Sequence, residues 1–138
     1  MGDRANVVIK TGPFMHDAFV VYSHWAGTEL PQLVQDALNS EHAKSRDGDP
    51  AYQARILVSK IIPAEAHGEE GGWGLSHRIE DNEAGRPVLV VDLDDKEVWI
   101  ANEDAINVSK NRWSFDDFRE IKRPEGRPLT WEHLAVNG

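Results

Sequence analysis

Two segments repeat apolar residues every three or four positions, and this spacing constrains the fold more than any other feature of the chain. The first set is Leu30, Leu33, Val34, Ala37 and Leu38, and the second is Ala54, Leu57, Val58, Ile61 and Ile62. Each set forms a stripe along one side of an α-helix, so we predict two amphipathic helices. Thr28 is expected to cap the first helix, and Asp49-Pro50 to start the second.

Segments typical of β-strands flank these helices. Residues 6–10 and 18–25 are rich in β-branched and aromatic side chains, and a turn sequence, Thr11-Gly12-Pro13, separates them. We therefore predict that they pair as a hairpin. After the helices, further strands are expected at 73–79, 87–93 and 96–101, the last two paired across a two-residue turn.

The order of these segments predicts an α+β fold with the arrangement ββ-αα-βββ-α. Consecutive strands with short connections favour a mostly antiparallel sheet of about five strands, with two central helices on one face. Ser114 is expected to cap a short C-terminal helix, and the tail from about residue 123 shows no periodicity. A chain of 138 residues fits one domain, 1–138.

Composition narrows the classes of function. The chain has no cysteine and no apolar run near the roughly 20 residues that span a bilayer, so we expect a cytoplasmic protein without membrane contact. Its formal charge of −9 opposes a phosphate backbone and argues against direct nucleic-acid binding. The same charge suits solubility, or a basic protein surface as partner, and the oligomeric state stays open.

Familiar catalytic motifs are missing from the sequence. It contains neither a G-x-G-x-x-G nor a P-loop motif, and no G-x-S-x-G nucleophile elbow. Its six histidines lack the spacing of known metal sites. We therefore expect no metal and no cofactor, assign no catalytic residue, and favour a binding protein over an enzyme.

One segment, residues 22–29, runs from a strand into a helix start and carries unusual side chains. Strand alternation places Tyr22 and His24 on one face, with Ser23 and Trp25 on the other. A helix start presents unpaired N–H groups and a positive dipole end, which favour an anion. The alternative is purely structural, with His24 satisfied internally, Trp25 in the core and Thr28 acting only as a cap.

Three residues outside this segment are candidates to assist it. Arg4 and Asn6 precede or begin the strand that is expected to pair with residues 18–25, and Arg55 lies on the second helix. Arg4 could reach a bound anion, although a salt bridge or solvent exposure is the competing interpretation. The predicted ligand-binding residues are Arg4, Asn6, Tyr22, His24, Trp25, Thr28, Glu29 and Arg55.

The opening run 2–6, Gly-Asp-Arg-Ala-Asn, and the run 22–31, Tyr-Ser-His-Trp-Ala-Gly-Thr-Glu-Leu-Pro, resemble an uncharacterised family of small bacterial, archaeal and phage proteins. Segments 49–56, 73–75 and 81–83 are similar to later, weaker motifs of that family. Ala26 stands where the family pattern has glycine. The resemblance implies no chemistry, but it implies a phage or mobile-element setting, the host cytoplasm and a role in blunting host defence.

Three hypotheses about function follow. In the first, the chain captures a small anionic ligand, such as a nucleotide signal, at the strand-to-helix turn. In the second, its acidic surface inhibits a nucleic-acid-binding host protein. In the third, it is a hydrolase with His24 as general base.

Overall fold

A computed structural model of the chain describes residues 2–66, 71–123 and 125–136. Its strands are β1 (Ala5–Lys10), β2 (Ala18–Ser23), β3 (Trp73–Ser76), β4 (Val88–Asp92), β5 (Glu97–Ala101) and β6 (Asn111–Ser114). Its helices are α1 (Leu30–Asn39), α2 (Glu41–Lys44), α3 (Pro50–Ile61), α4 (Phe115–Arg119) and α5 (Trp131–Val136).

The six strands form one sheet in the order β3-β2-β1-β4-β5-β6. All neighbouring pairs are antiparallel except β1 and β4, which are parallel. The predicted α+β class is confirmed, whereas the predicted five-stranded, mostly antiparallel sheet is only roughly right. The difference arises because the chain crosses the sheet between β3 and β4, and a crossover connection makes a parallel neighbour.

Both predicted hairpins are present, β1 with β2 and β4 with β5. The strand β6 was not predicted, because it has only four residues, three of them polar, and its last residue is the Ser114 cap of α4. The tail also differs from expectation, since it contains α5, where Trp131 and Leu134 are buried. Residues 124, 137 and 138 of that tail lie outside the described part.

The helices cover one face of the sheet. Ala5, Val7 and Ile9 of β1 point toward α1 and α3 and belong to the main apolar core. Strand alternation sends Val8 to the opposite face, where it joins a smaller apolar cluster with Val20, Val88, Val90, Trp99 and Ala101. This face without helices is called the open face below.

The segment that connects β3 to β4, residues 77–87, crosses the open face and is called the strap. Ile79 of the strap packs on the smaller apolar cluster. Asn6 is fully buried beneath it, and its amide nitrogen donates to the Glu80 carbonyl at 3.1 Å and to Asn82 Oδ1 at 3.3 Å. The Glu80 N–H donates back to Asn6 Oδ1 at 3.0 Å. One side chain of β1 therefore fixes the middle of the strap.

None of the helices in the described part of the chain combines the length and apolar character needed to cross a bilayer.

Candidate functional site

The start of α1 receives an anion from the chain itself. A single 3-10 turn, Gly27–Glu29, precedes the helix, and no side chain within this turn caps it. Instead, the Thr28 N–H donates to Asp3 Oδ2 at 3.0 Å, and the Gly27 N–H donates to the Asp3 carbonyl at 2.7 Å. Thr28 was predicted as the cap of this helix, but its own N–H is the group that is satisfied, and Asp3 satisfies it.

Asp3 is also paired with a cation. Arg86 Nη1 lies 2.8 Å from Asp3 Oδ1 and donates a second bond of 2.8 Å to the Arg4 carbonyl. Burial raises the pKa of Asp3, but hydrogen bonds from the backbone and hydroxyl of Thr28 and from Arg86 outweigh it and hold the pKa below 3.8. The carboxylate at this helix start is therefore charged at neutral pH.

Arg4 forms ion pairs with two carboxylates of the strap. Its Nε lies 3.3 Å from Glu83 Oε1, and its Nη1 lies 3.6 Å from Asp81 Oδ2. The Arg4 N–H donates to the same Glu83 oxygen at 3.3 Å. Hydrogen bonds from the Arg4 backbone and side chain lower the pKa of Glu83. The salt-bridge interpretation of Arg4 is therefore the one that the structure supports.

Tyr22 and His24 lie on the same side of β2 and its extension, as alternation predicted. The Tyr22 hydroxyl and His24 Nδ1 are 2.9 Å apart, and Trp25 meets the His24 ring edge-on with centroids 5.0 Å apart. Burial raises the pKa of Tyr22; Arg4 opposes this rise, and the carboxylates of the strap add to it. The hydroxyl therefore stays protonated at neutral pH and can donate to His24.

The structural alternative placed Trp25 in the core. In the structure, however, Trp25 is 60% exposed. Its ring lies against Gly72, where a Cβ atom would come within 2.2 Å of Trp25 Cε3. The His24 N–H donates to the Gly72 carbonyl at 2.9 Å. This ring therefore covers the entry to β3 and leaves one side open to solvent.

No serine nucleophile accompanies His24 in the strand. Ser23 is buried on the other side of β2, and its Oγ accepts the Ala26 N–H at 2.9 Å. Its hydroxyl oxygen therefore stabilises the turn into α1. The geometry lends no support to a Ser23–His24 catalytic pair.

Arg55 lies apart from the other predicted ligand-binding residues. It is exposed on α3, on the helix-covered side of the sheet, with its guanidinium 5.1 Å from the centre of the Tyr52 ring. Asn6 and Tyr22, in contrast, belong to the open face. The structure brings the remaining predicted residues to one end of the sheet, with Thr28 and Glu29 exposed at the turn.

A cavity of about 570 Å³ lies on the open face, toward the Ala18 end of β2, which is opposite to the end at which the predicted residues gather. Its floor is apolar and includes Val8, Ala18 and Val20, and Ile79 and Ile106 form further apolar parts of its wall. It is called the cleft below. Three connections surround it, namely the β1–β2 loop, the first residues of the strap and the loop that follows β5.

The rim of the cleft carries histidine and arginine side chains, although the protein as a whole is acidic. His16, His77 and Arg78 line it, with Glu103 as the one carboxylate among the lining residues. The Arg78 side chain is 86% exposed and lies 3.6 Å from Glu80. Glu80 in turn accepts a 2.8 Å hydrogen bond from the Ser76 hydroxyl, so its carboxylate keeps a partner if Arg78 turns toward the cleft.

Sequence reasoning missed both Asp3 as the partner of the helix start and the residues of the cleft. The spacing of His16 and His77 among the histidines does not fit known metal sites and indicates no other role. The available signal was their position in turn-rich segments, because loops held by a rigid sheet often carry binding residues. Which loops meet over the sheet depends on the crossover of the strap, which local patterns do not reveal.

Within the described ranges, no group of three or more histidine or carboxylate side chains is placed to hold a metal ion. Comparison of the chain with protein-family models, with curated proteins and with solved structures finds no match.

Proposed function

We propose that this chain is a small binding protein that holds an anionic small molecule in the cleft on the open face. The observation that carries the proposal is the combination of an apolar floor with His16, His77 and Arg78 on the rim. Small-molecule sites are typically concave and mostly apolar, with a few polar groups that orient the ligand. The volume of about 570 Å³ lies within the range of such sites.

The cleft is a better candidate than the strand-to-helix turn. At the turn, the Asp3 carboxylate already accepts the Thr28 N–H, and Arg4 already pairs with Glu83. A ligand there would have to displace both contacts and would meet the negative charge of Asp3. At the cleft, Arg78 is exposed and can contact an anion at little cost.

A nucleotide signal belongs to this class of ligand, since it joins an apolar ring system to a charged phosphate. Capture of such a signal in the cytoplasm would also suit the phage setting that the resemblance implies, as a means of counter-defence. The −9 charge keeps open the alternative of an acidic inhibitor that occupies a basic surface of a nucleic-acid-binding protein.

Thermal-shift measurements with nucleoside monophosphates, cyclic dinucleotides, sugar phosphates and orthophosphate test the proposal. We expect at least one organic phosphate to raise the melting temperature, because a ligand that binds only the folded state stabilises it. The absence of any shift at millimolar concentration across the panel would contradict the proposal.

Two variants locate the site. Arg78→Ala should abolish or strongly reduce the shift, because it removes the exposed cation of the rim. Arg123→Ala is the matched control, since it removes an equally charged side chain that pairs with Asp36 away from the cleft. Equal loss in both variants would indicate a general charge effect instead of a site.

A further inference from the structure

A stacked pair of exposed aromatic rings stands at the edge of the cleft. The rings of Phe14 and His16 lie 5.5 Å apart between centroids and are parallel to within 3°. His16 lines the cleft, whereas Phe14 is not among the lining residues, so Phe14 supports His16 from outside. Phe14 is 61% exposed, so the outer side of this stacked pair faces solvent.

Hydrogen bonds within the β1–β2 loop hold this pair in place. The Phe14 N–H donates to Asp17 Oδ2 at 3.2 Å, and His16 Nε2 lies 3.6 Å from Asp17 Oδ1. The Asp17 backbone closes the loop by accepting from the Thr11 N–H at 2.8 Å and by donating to the Phe14 carbonyl at 2.9 Å. The rings are therefore presented by an ordered turn, which reduces the entropy that a ligand must remove on binding.

Trp25, an exposed aromatic ring at the other end of β2, has different partners from the Phe14–His16 pair. Trp25 lies against Gly72 and His24, at the turn that Asp3 and Thr28 close. The Phe14–His16 pair instead borders a concave space with an apolar floor and with Arg78 on the same rim. A planar ring entering this space would find a stacking partner in His16 and a cation for an attached anion in Arg78.

We infer that the ligand of the cleft combines a planar aromatic ring, stacked on His16 with Phe14 behind it, with an anionic group bound near Arg78 and His77. This inference rests on the proposed function and names its ligand class, of which a nucleoside monophosphate is the simplest example. Stacking of a base on an aromatic ring is tolerant of base identity, so purine and pyrimidine monophosphates should both bind.

Titration calorimetry with four probes tests the inference, namely adenosine monophosphate, cytidine monophosphate, ribose 5-phosphate and adenosine. We expect both nucleotides to bind at least about tenfold more tightly than ribose 5-phosphate, which lacks the ring. Adenosine, which lacks the anion, should also bind more weakly than its monophosphate. Equal affinity for ribose 5-phosphate and the nucleotides would overturn the inference and leave the proposed function intact. No binding by any of the four probes would also overturn the inference, whereas the proposed function falls only if the whole thermal-shift panel gives no shift.

Substitutions at the stacked pair separate a ring contact from a polar one. His16→Leu should lower the affinity for adenosine monophosphate about tenfold. His16→Phe should restore most of this affinity, because it keeps a planar ring. Tyr52→Leu is the matched control, since it removes an exposed ring from α3, away from the cleft, and it should leave binding unchanged. Failure of His16→Phe to restore binding, or a loss in Tyr52→Leu as large as in His16→Leu, would overturn the inference.

Discussion

The Asp3 carboxylate accepts the Thr28 backbone N–H over 3.0 Å, so the N-terminal segment supplies the anion that the start of α1 attracts. Arg86 completes the arrangement by bonding both Asp3 and the Arg4 carbonyl. The polar residues that open the chain therefore connect β1, the turn before α1 and the strap.

The charge of Asp3 should make part of the stability depend on pH. Asp3→Asn should lower the free energy of unfolding at pH 7 by about 1 kcal/mol, because it removes the anion from the helix start. The folded pKa of Asp3 lies below 3.8, so this contribution is complete above that pH and is lost as the pH falls through the folded pKa. Urea denaturation of both proteins from pH 7 to pH 2 measures it. A difference that stays constant over this range would contradict the account.

Gly27 should not tolerate a side chain. A Cβ atom there would lie 2.5 Å from both the Asp3 carbonyl oxygen and Arg86 Nη1, so Gly27→Ala must move the N-terminal segment. We expect it to lower the free energy of unfolding by about 1–3 kcal/mol in urea denaturation. Gly74→Ala is the control, because its Cβ would meet nothing closer than Tyr22 Cδ2 at 3.9 Å. A similar effect in both variants would argue against the close approach at Gly27.

Asn6→Ala should loosen the strap. It removes three hydrogen bonds and leaves the partly buried backbone N–H and carbonyl of Glu80 without their partner, at a cost of about 1–3 kcal/mol. Hydrogen exchange at the Glu80 amide should become markedly faster. The control Asn107→Ala, at an exposed site, should change neither the free energy of unfolding nor this exchange rate. Unchanged exchange at Glu80 in the Asn6 variant would show that other contacts fix the strap.

Lys10 and Asp92 form a buried ion pair at 3.2 Å across the parallel strands β1 and β4. Lys10→Met should lower the free energy of unfolding by about 3–5 kcal/mol, because it leaves a buried carboxylate without its cation. Adding Asp92→Asn should recover part of this loss, since the amide oxygen can still accept the N–H groups of Asp94 and Asp95. A double variant less stable than Lys10→Met in urea denaturation would contradict this explanation.

Local patterns predicted the elements that depend on local order. The apolar stripes at Leu30–Asn39 and Pro50–Ile61 became α1 and α3, and the two hairpins formed in the expected segments. The parallel pairing of β1 with β4 escaped prediction because it depends on the path of the strap across the sheet. The helix α5 escaped because its short apolar set, including Trp131 and Leu134, gains its packing from distant elements.

In the candidate site too, contacts between neighbours in the sequence were predictable, whereas contacts between distant segments were not. Alternation placed Tyr22 and His24 on one side of β2, and their side chains do contact each other. However, the partners of Arg4 and Asn6 lie about 75 or more positions away in the strap, so the sequence could not reveal that these groups were already paired. His16 and Arg78 come together around the cleft for the same reason, through loops that are distant in the chain.

The central claim is that an anionic small molecule binds at the cleft and not at the turn before α1. The most direct measurement is a titration with adenosine monophosphate, followed through the backbone amide signals of ¹⁵N-labelled protein. We predict that the shifts concentrate at His16, His77 and Arg78. Shifts confined to Asp3, Thr28 and Glu29, or no shifts at millimolar ligand, would contradict the claim.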